Sequence, residues 1–193
     1  TVERRVGGGV IDRGEHLDFV HFLPKPVPPE DNFANLPIFQ RAANQPSYNP
    51  LAMPSVLQSY RVMPFLRGDA DVEKFRADIV AAGLISAERA NSLESAALVF
   101  AALDHFTPNL TPVREALLRS GSDFSLHFKS SDPTQPYRFP IRAISGIAAH
   151  FHTRALTHIA LKQGDRAAAE FENLFHLSRH AKAQPMLMGF AIE

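Results

Sequence analysis

The chain has 193 residues, 45% hydrophobic and 21% charged, a balance that excludes wholesale disorder and is enough for one domain with its own core. Its 20 basic and 20 acidic side chains cancel, so there is no electrostatic footprint for nucleic acid or for an anionic membrane surface. The absence of cysteine excludes disulfides, thiolate zinc sites, iron–sulfur clusters and thiol catalysis, and it leaves the compartment open.

Residues 1–46 read as an extended proline-rich arm, and residues 47–193 as a helical domain cut short at its C-terminal end. Gly7-Gly8-Gly9 is a flexible linker without the Lys-Ser/Thr of a phosphate loop. Pro24, Pro26, Pro28 and Pro29 fix their own φ and push the preceding residues out of the helical region. Phe33 and Phe39 have the look of anchors to the chain's own core. Any signal peptide or membrane anchor lies before Thr1.

Helical signals begin after Pro54. Ser55 to Met63 is expected to form a helix ended by Pro64. Asp71 to Ala82 forms the next, with acids at its start and Gly83 as its stop. Ser86 is a good N-cap for a long helix over Ala87 to His105, whose apolar run Ala96–Leu103 is too short for a membrane span of roughly 18 residues and reads as a buried face. Thr111-Pro112 supplies a cap and a proline at the first helical position, and Gly121 closes that helix. Phe124, Leu126 and Phe128 alternate and suit a short strand. Ser130 to Pro136 is turn-forming.

From Ile141 the helical period is clear. Ile141, Ile144, Ile147, Ala148, Phe151, Ala155 and Ile159 share one face. In the next helix Ala167, Ala168, Phe171, Leu174, Phe175, Ser178 and Ala181 share a face. Ile141–Lys162 and Asp165–Lys182 are therefore expected to form an antiparallel hairpin with a turn at Gly164-Asp165. Phe151, Ile159, Phe171 and Phe175 are expected to be buried. Pro185 opens a last apolar segment. Exposed Leu187 and Phe190 there would drive self-association, or pairing with a continuation of the same polypeptide. The fold class is all-α, an irregular helical bundle or repeat-like helical hairpins.

Two resemblances rest on particular residues. Ala155-Leu156, Ala160-Leu161, Gly164-Asp165 and Ala168 resemble one tetratricopeptide-type unit, whose helix pairs place small residues and a glycine in comparable positions. Val27-Pro28-Pro29-Glu30-Asp31-Asn32-Phe33-Ala34, with Pro37 following, a hairpin like Ala155 to Leu177 and a segment like Pro185-Met186-Leu187 resemble uncharacterised, membrane-anchored bacterial helical proteins. That resemblance implies a cell-envelope location and carries no functional residues over.

Nine histidines invite a metal hypothesis. Glu172, His176 and His180, at i, i+4 and i+8, lie along one side of the second helix and form the candidate metal set, against the blander reading of a polar helix face. Leu177 stands where a zincin carries glutamate, so protease chemistry is not supported. His152 and His158 fall on the apolar flank of the preceding helix, with His150 on the far side. His105 suits a helix C-terminus. No serine-nucleophile motif and no cofactor signature is present. The reading is a non-catalytic helical scaffold or protein-binding module. The alternative is a metal-binding protein or enzyme that uses histidines brought together by the fold.

Overall fold

In a computed structural model the described residues are 27–45, 48–69, 71–93, 95–124 and 140–182. Among them the chain is all-α, as its periodicity predicts. Eight α-helices run in the order α1 (Pro37–Asn44), α2 (Ser59–Arg67), α3 (Val72–Ala81), α4 (Ala87–Asn91), α5 (Ser95–Asp104), α6 (Thr107–Leu117), α7 (Ile141–Ala160) and α8 (Gly164–Lys182). Single 3-10 turns at Phe33–Asn35 and Ser55–Leu57 precede α1 and α2. No helix among these residues is long and apolar enough to cross a membrane. The expectations for residues 1–26, for the alternating stretch beyond Phe124, and for Leu187 and Phe190 lie outside the described residues.

Within residues 27–45, the described part of the arm, the chain is partly helical. Pro37 takes the first turn of α1, where its missing N–H costs nothing. Phe33 and Phe39 are fully buried and pack at 5.1 Å, and Phe124 sits edge-on to both. Asn32 locks this region to the end of α6. Its Oδ1 accepts from the Ala34 and Asp123 amides, its Nδ2 donates to the Asp123 carbonyl, and its own carbonyl accepts from Arg119 Nη1 at 2.8 Å.

Helix α3 follows the sequence closely. Asp71 accepts from the Lys74 amide at 3.0 Å as N-cap, and Gly83, at φ 69°, completes the stop. Three boundaries differ. Pro64 lies inside α2, which runs on to Gly68 in the left-handed region. Interior proline costs about 3 kcal/mol, and burying Val62 and Phe65 on either side, at about 1.5–3 kcal/mol each, offsets it. The long helix over Ala87–His105 is broken into α4 and α5. Ser92 turns its hydroxyl onto the Arg89 carbonyl, and Arg76 Nη1 caps the Leu93 carbonyl at 3.1 Å. Helix α6 starts at Thr107-Pro108 rather than Thr111-Pro112. Thr111 sits one turn inside, with its hydroxyl on the Thr107 carbonyl.

Helices α7 and α8 form the expected hairpin, and α7 also packs against α1, α2 and α5. The turn is a Schellman motif. Lys162 stands at φ 60°, its amide bonds the Ile159 carbonyl, and the Gln163 amide reaches back to His158 at 2.9 Å. The left-handed residue is thus Lys162, and Gly164 is already the first residue of α8. At Gly146 a loop packs directly on α7. A β-carbon there would come within 2.7 Å of the Leu51 carbonyl. Asn49 ties the same loop down by donating from Nδ2 to the Arg142 carbonyl.

The buried face of α7 matches the periodicity through Ile144, Ile147, Phe151 and Ala155, but Ile159 is 54% exposed. Helix α8 is rotated by roughly 85° from the predicted phase. It buries Ala167, Glu170, Leu177, His180 and Ala181, and leaves Phe171 and Phe175 36% and 77% exposed. The expected burial of Ile159, Phe171 and Phe175 is therefore corrected. A carboxylate, Glu170, takes the core position because two arginines meet it there.

Candidate functional site

Glu170 enters the core from α8 and Arg154 faces it from α7. Arg154 Nε donates to Glu170 Oε1 at 3.1 Å, with both residues 5% exposed. Arg114 of α6 donates from Nη2 to the same oxygen at 2.5 Å, and Asn173 Nδ2 reaches Oε2. Arg154 also extends Nη1 to Asp104 Oδ1 at the end of α5, and Thr107 donates its hydroxyl to that carboxylate. Phe100 lies 4.7 Å under the Arg154 guanidinium, and Phe151 5.5 Å from that of Arg114. Two cations and two carboxylates balance, and each is bonded. Four helices are joined through one point. Arg154 and Glu170 are closed to water, whereas the Asp104 carboxylate at the edge of the cluster is 41% exposed.

His150 lies beside this cluster. It is fully buried, its ring is 4.5 Å from that of Phe106, and the Leu51 backbone is the hydrogen-bonding group that faces it. Burial pushes its pKa down from 6.5 to about 4, the Leu51 backbone opposes this by favouring the protonated ring, and the positive Arg154 lowers it further. His150 is therefore neutral at ordinary pH, and it faces the core rather than the far side of α7. His152, by contrast, is exposed. His158 is buried and hydrogen-bonded as its position implied, through Nδ1 to Gln163 Oε1 at 2.8 Å, with its ring 4.9 Å from Phe100.

The candidate metal residues are placed apart. Glu172 is on the surface, with Oε1 3.8 Å from His176 Nε2. His180 turns inward and stacks on Phe33 at 4.4 Å. Its Nε2 donates to the Leu117 carbonyl at 3.0 Å, which fixes the ring in the core. Burial is the main cause of its lowered pKa. Two four-residue steps drift by about 80° around a helix, enough to take His180 into the core while Glu172 faces water. Among the described residues no group of three histidine, cysteine, aspartate or glutamate side chains gathers to hold a metal.

The one large concave feature described on this hairpin is apolar. A groove of about 670 Å³ runs between α7 and α8, with Ile144 and Ala148 on one wall and Leu174, Phe175 and Leu177 on the other. Ser145 also borders a second hollow of about 400 Å³, which reaches Arg142, Gly146 and the loop at Asn49. The rotation of α8 that buries Glu170 leaves Phe175 exposed at the groove. The signal for this phase was Leu177, which lies off the predicted face and is buried, while Ala167 and Ala181 belong to both phases.

Comparison with family models, with curated proteins and with solved structures gives no match. Among the described residues this protein is an all-α chain with an apolar groove between α7 and α8.

Proposed function

We propose that this chain is a non-catalytic helical scaffold or protein-binding module that receives its partner in the groove between α7 and α8. The observation that carries the reading is Phe175. It is 77% exposed at the edge of that groove, on a helix that buries Glu170, Leu177 and His180. A large exposed aromatic next to a concave apolar surface is a feature of protein interfaces, where aromatic anchors supply much of the binding energy. The polar cluster around Arg154 supports the same reading, because its charged groups bond one another.

The test is a photo-crosslinking amino acid placed at Phe175 and, as a control, at Val72, which is exposed at the start of α3. In extract of the native host the Phe175 probe is expected to yield one discrete adduct that the Val72 probe does not. Identical labelling from both positions would contradict a docking role for the groove.

A further inference from the structure

The charge around the groove identifies what kind of partner suits it. Because α7 and α8 are antiparallel, the start of α7 lies beside the end of α8. Arg142 lines the smaller hollow and Lys182 lines the groove, and the two cavities meet at Ser145. These are the only charged residues among the described liners of either cavity, and both are cationic. Arg179 adds a third cation in the last turn of α8. Lys182 also interacts within the chain, so the charge that this rim offers a ligand is carried by the exposed Arg142.

The macrodipole accounts for part of this arrangement. Arg179 and Lys182 stand in the last turn of α8, where a helix favours positive charge. Arg142 is different. It is the second residue of α7, a helix with no acid in its first turn and no side-chain cap, so its charge opposes the dipole. Its exposed guanidinium is not placed there for the stability of α7.

We infer that the groove receives an amphipathic helix with an apolar stripe and acidic residues along the flank that faces Arg142. This rests on the reading of the chain as a binding module and names the partner's chemistry. The surface is formed by two neighbouring helices, with Leu174, Leu177 and Ser178 of α8 lining it at i, i+3 and i+4 beside Phe175, which suits the anchors of a third helix. A membrane would also combine apolar and anionic character, but it calls for a flat or convex apolar face. This surface is concave.

The probes are two synthetic amphipathic peptides with the same apolar stripe, one carrying glutamate and the other lysine on its flank. Binding is followed by fluorescence anisotropy to the whole chain. The glutamate peptide is expected to bind roughly ten-fold more tightly at low ionic strength, with the difference shrinking in high salt. Arg142→Glu is expected to reverse the preference. That position is on the surface, and an unchanged circular dichroism spectrum would show that the variant folds. Phe175→Asp is expected to weaken both peptides.

Equal binding of the two peptides, still lost in Phe175→Asp, would overturn the charge match and leave the groove as a docking site. Binding of neither peptide would overturn both. Two further results would overturn the helix as occupant. One is binding to phosphatidylglycerol vesicles that depends on Arg142 and Phe175. The other is a dimer in sedimentation that Phe175→Asp dissociates.

Discussion

Arg154 Nε and Glu170 Oε1 are 3.1 Å apart in a place almost closed to water, and this pair sets the rotation of α8. A carboxylate on the inner face is tolerable only because Arg154 and Arg114 both bond it. Once Glu170 points inward, Phe171 must turn away by about 100°, and Phe175 follows one turn on.

Glu170→Ala is therefore expected to cost about 3–5 kcal/mol, since it leaves the buried Arg154 without its main counter-charge. Replacing both partners, Arg154→Met with Glu170→Leu, is expected to cost much less than the sum of the single changes. Urea denaturation of the four members of this double-mutant cycle measures the coupling. Additive costs would show that the pair does not act as a unit.

Stability is also expected to depend on pH through His150. Its folded pKa lies near 4, below the unfolded value of 6.5, so the unfolded chain takes up the proton more readily. The sign follows directly. Stability from this group is complete above pH 6.5, declines as pH falls, and is lost by about pH 4, a change of about 3 kcal/mol. The lowered pKa of His180 acts in the same direction. His150→Phe is expected to flatten the dependence of the unfolding midpoint on pH across this range. A variant with the wild-type slope would assign the effect elsewhere.

Lys162 holds a left-handed conformation that costs a side-chain-bearing residue about 1–2 kcal/mol. Lys162→Gly is expected to stabilise the chain by about 1 kcal/mol without altering the hairpin, because the Schellman bonds come from the backbone. A thermal melt shows this as a rise of a few degrees. A fall would mean that the Lys162 side chain contributes more than its strain costs.

The parts of this fold legible in the sequence are those governed by local rules. The cap at Asp71, the stop at Gly83, and the hairpin over Ile141–Lys182 follow from residues within a few positions of each other. The errors arose where two local signals competed. Thr107-Pro108 and Thr111-Pro112 are equally good starts, and the earlier one operates because α6 buries Leu110 as well as Val113 and Leu117. Phe171 and Phe175 are the more hydrophobic stripe on α8. Glu170 overrides them only through Arg154 and Arg114, which are 16 and 56 residues away in sequence. No periodicity within α8 reports on those partners. The candidate metal residues illustrate the same point, since His180 is drawn inward by Phe33 and the Leu117 carbonyl, both distant in the chain.

The most direct test of the account separates folding from binding at Phe175. Because that side chain is 77% exposed, Phe175→Asp is expected to change unfolding free energy by no more than about 0.5 kcal/mol. The same variant is expected to lose the photo-crosslinked partner and the amphipathic peptides alike. Measured together, unchanged stability with lost binding is the predicted result. Wild-type binding by a folded Phe175→Asp chain would contradict the claim that the α7–α8 groove is the functional surface of this protein.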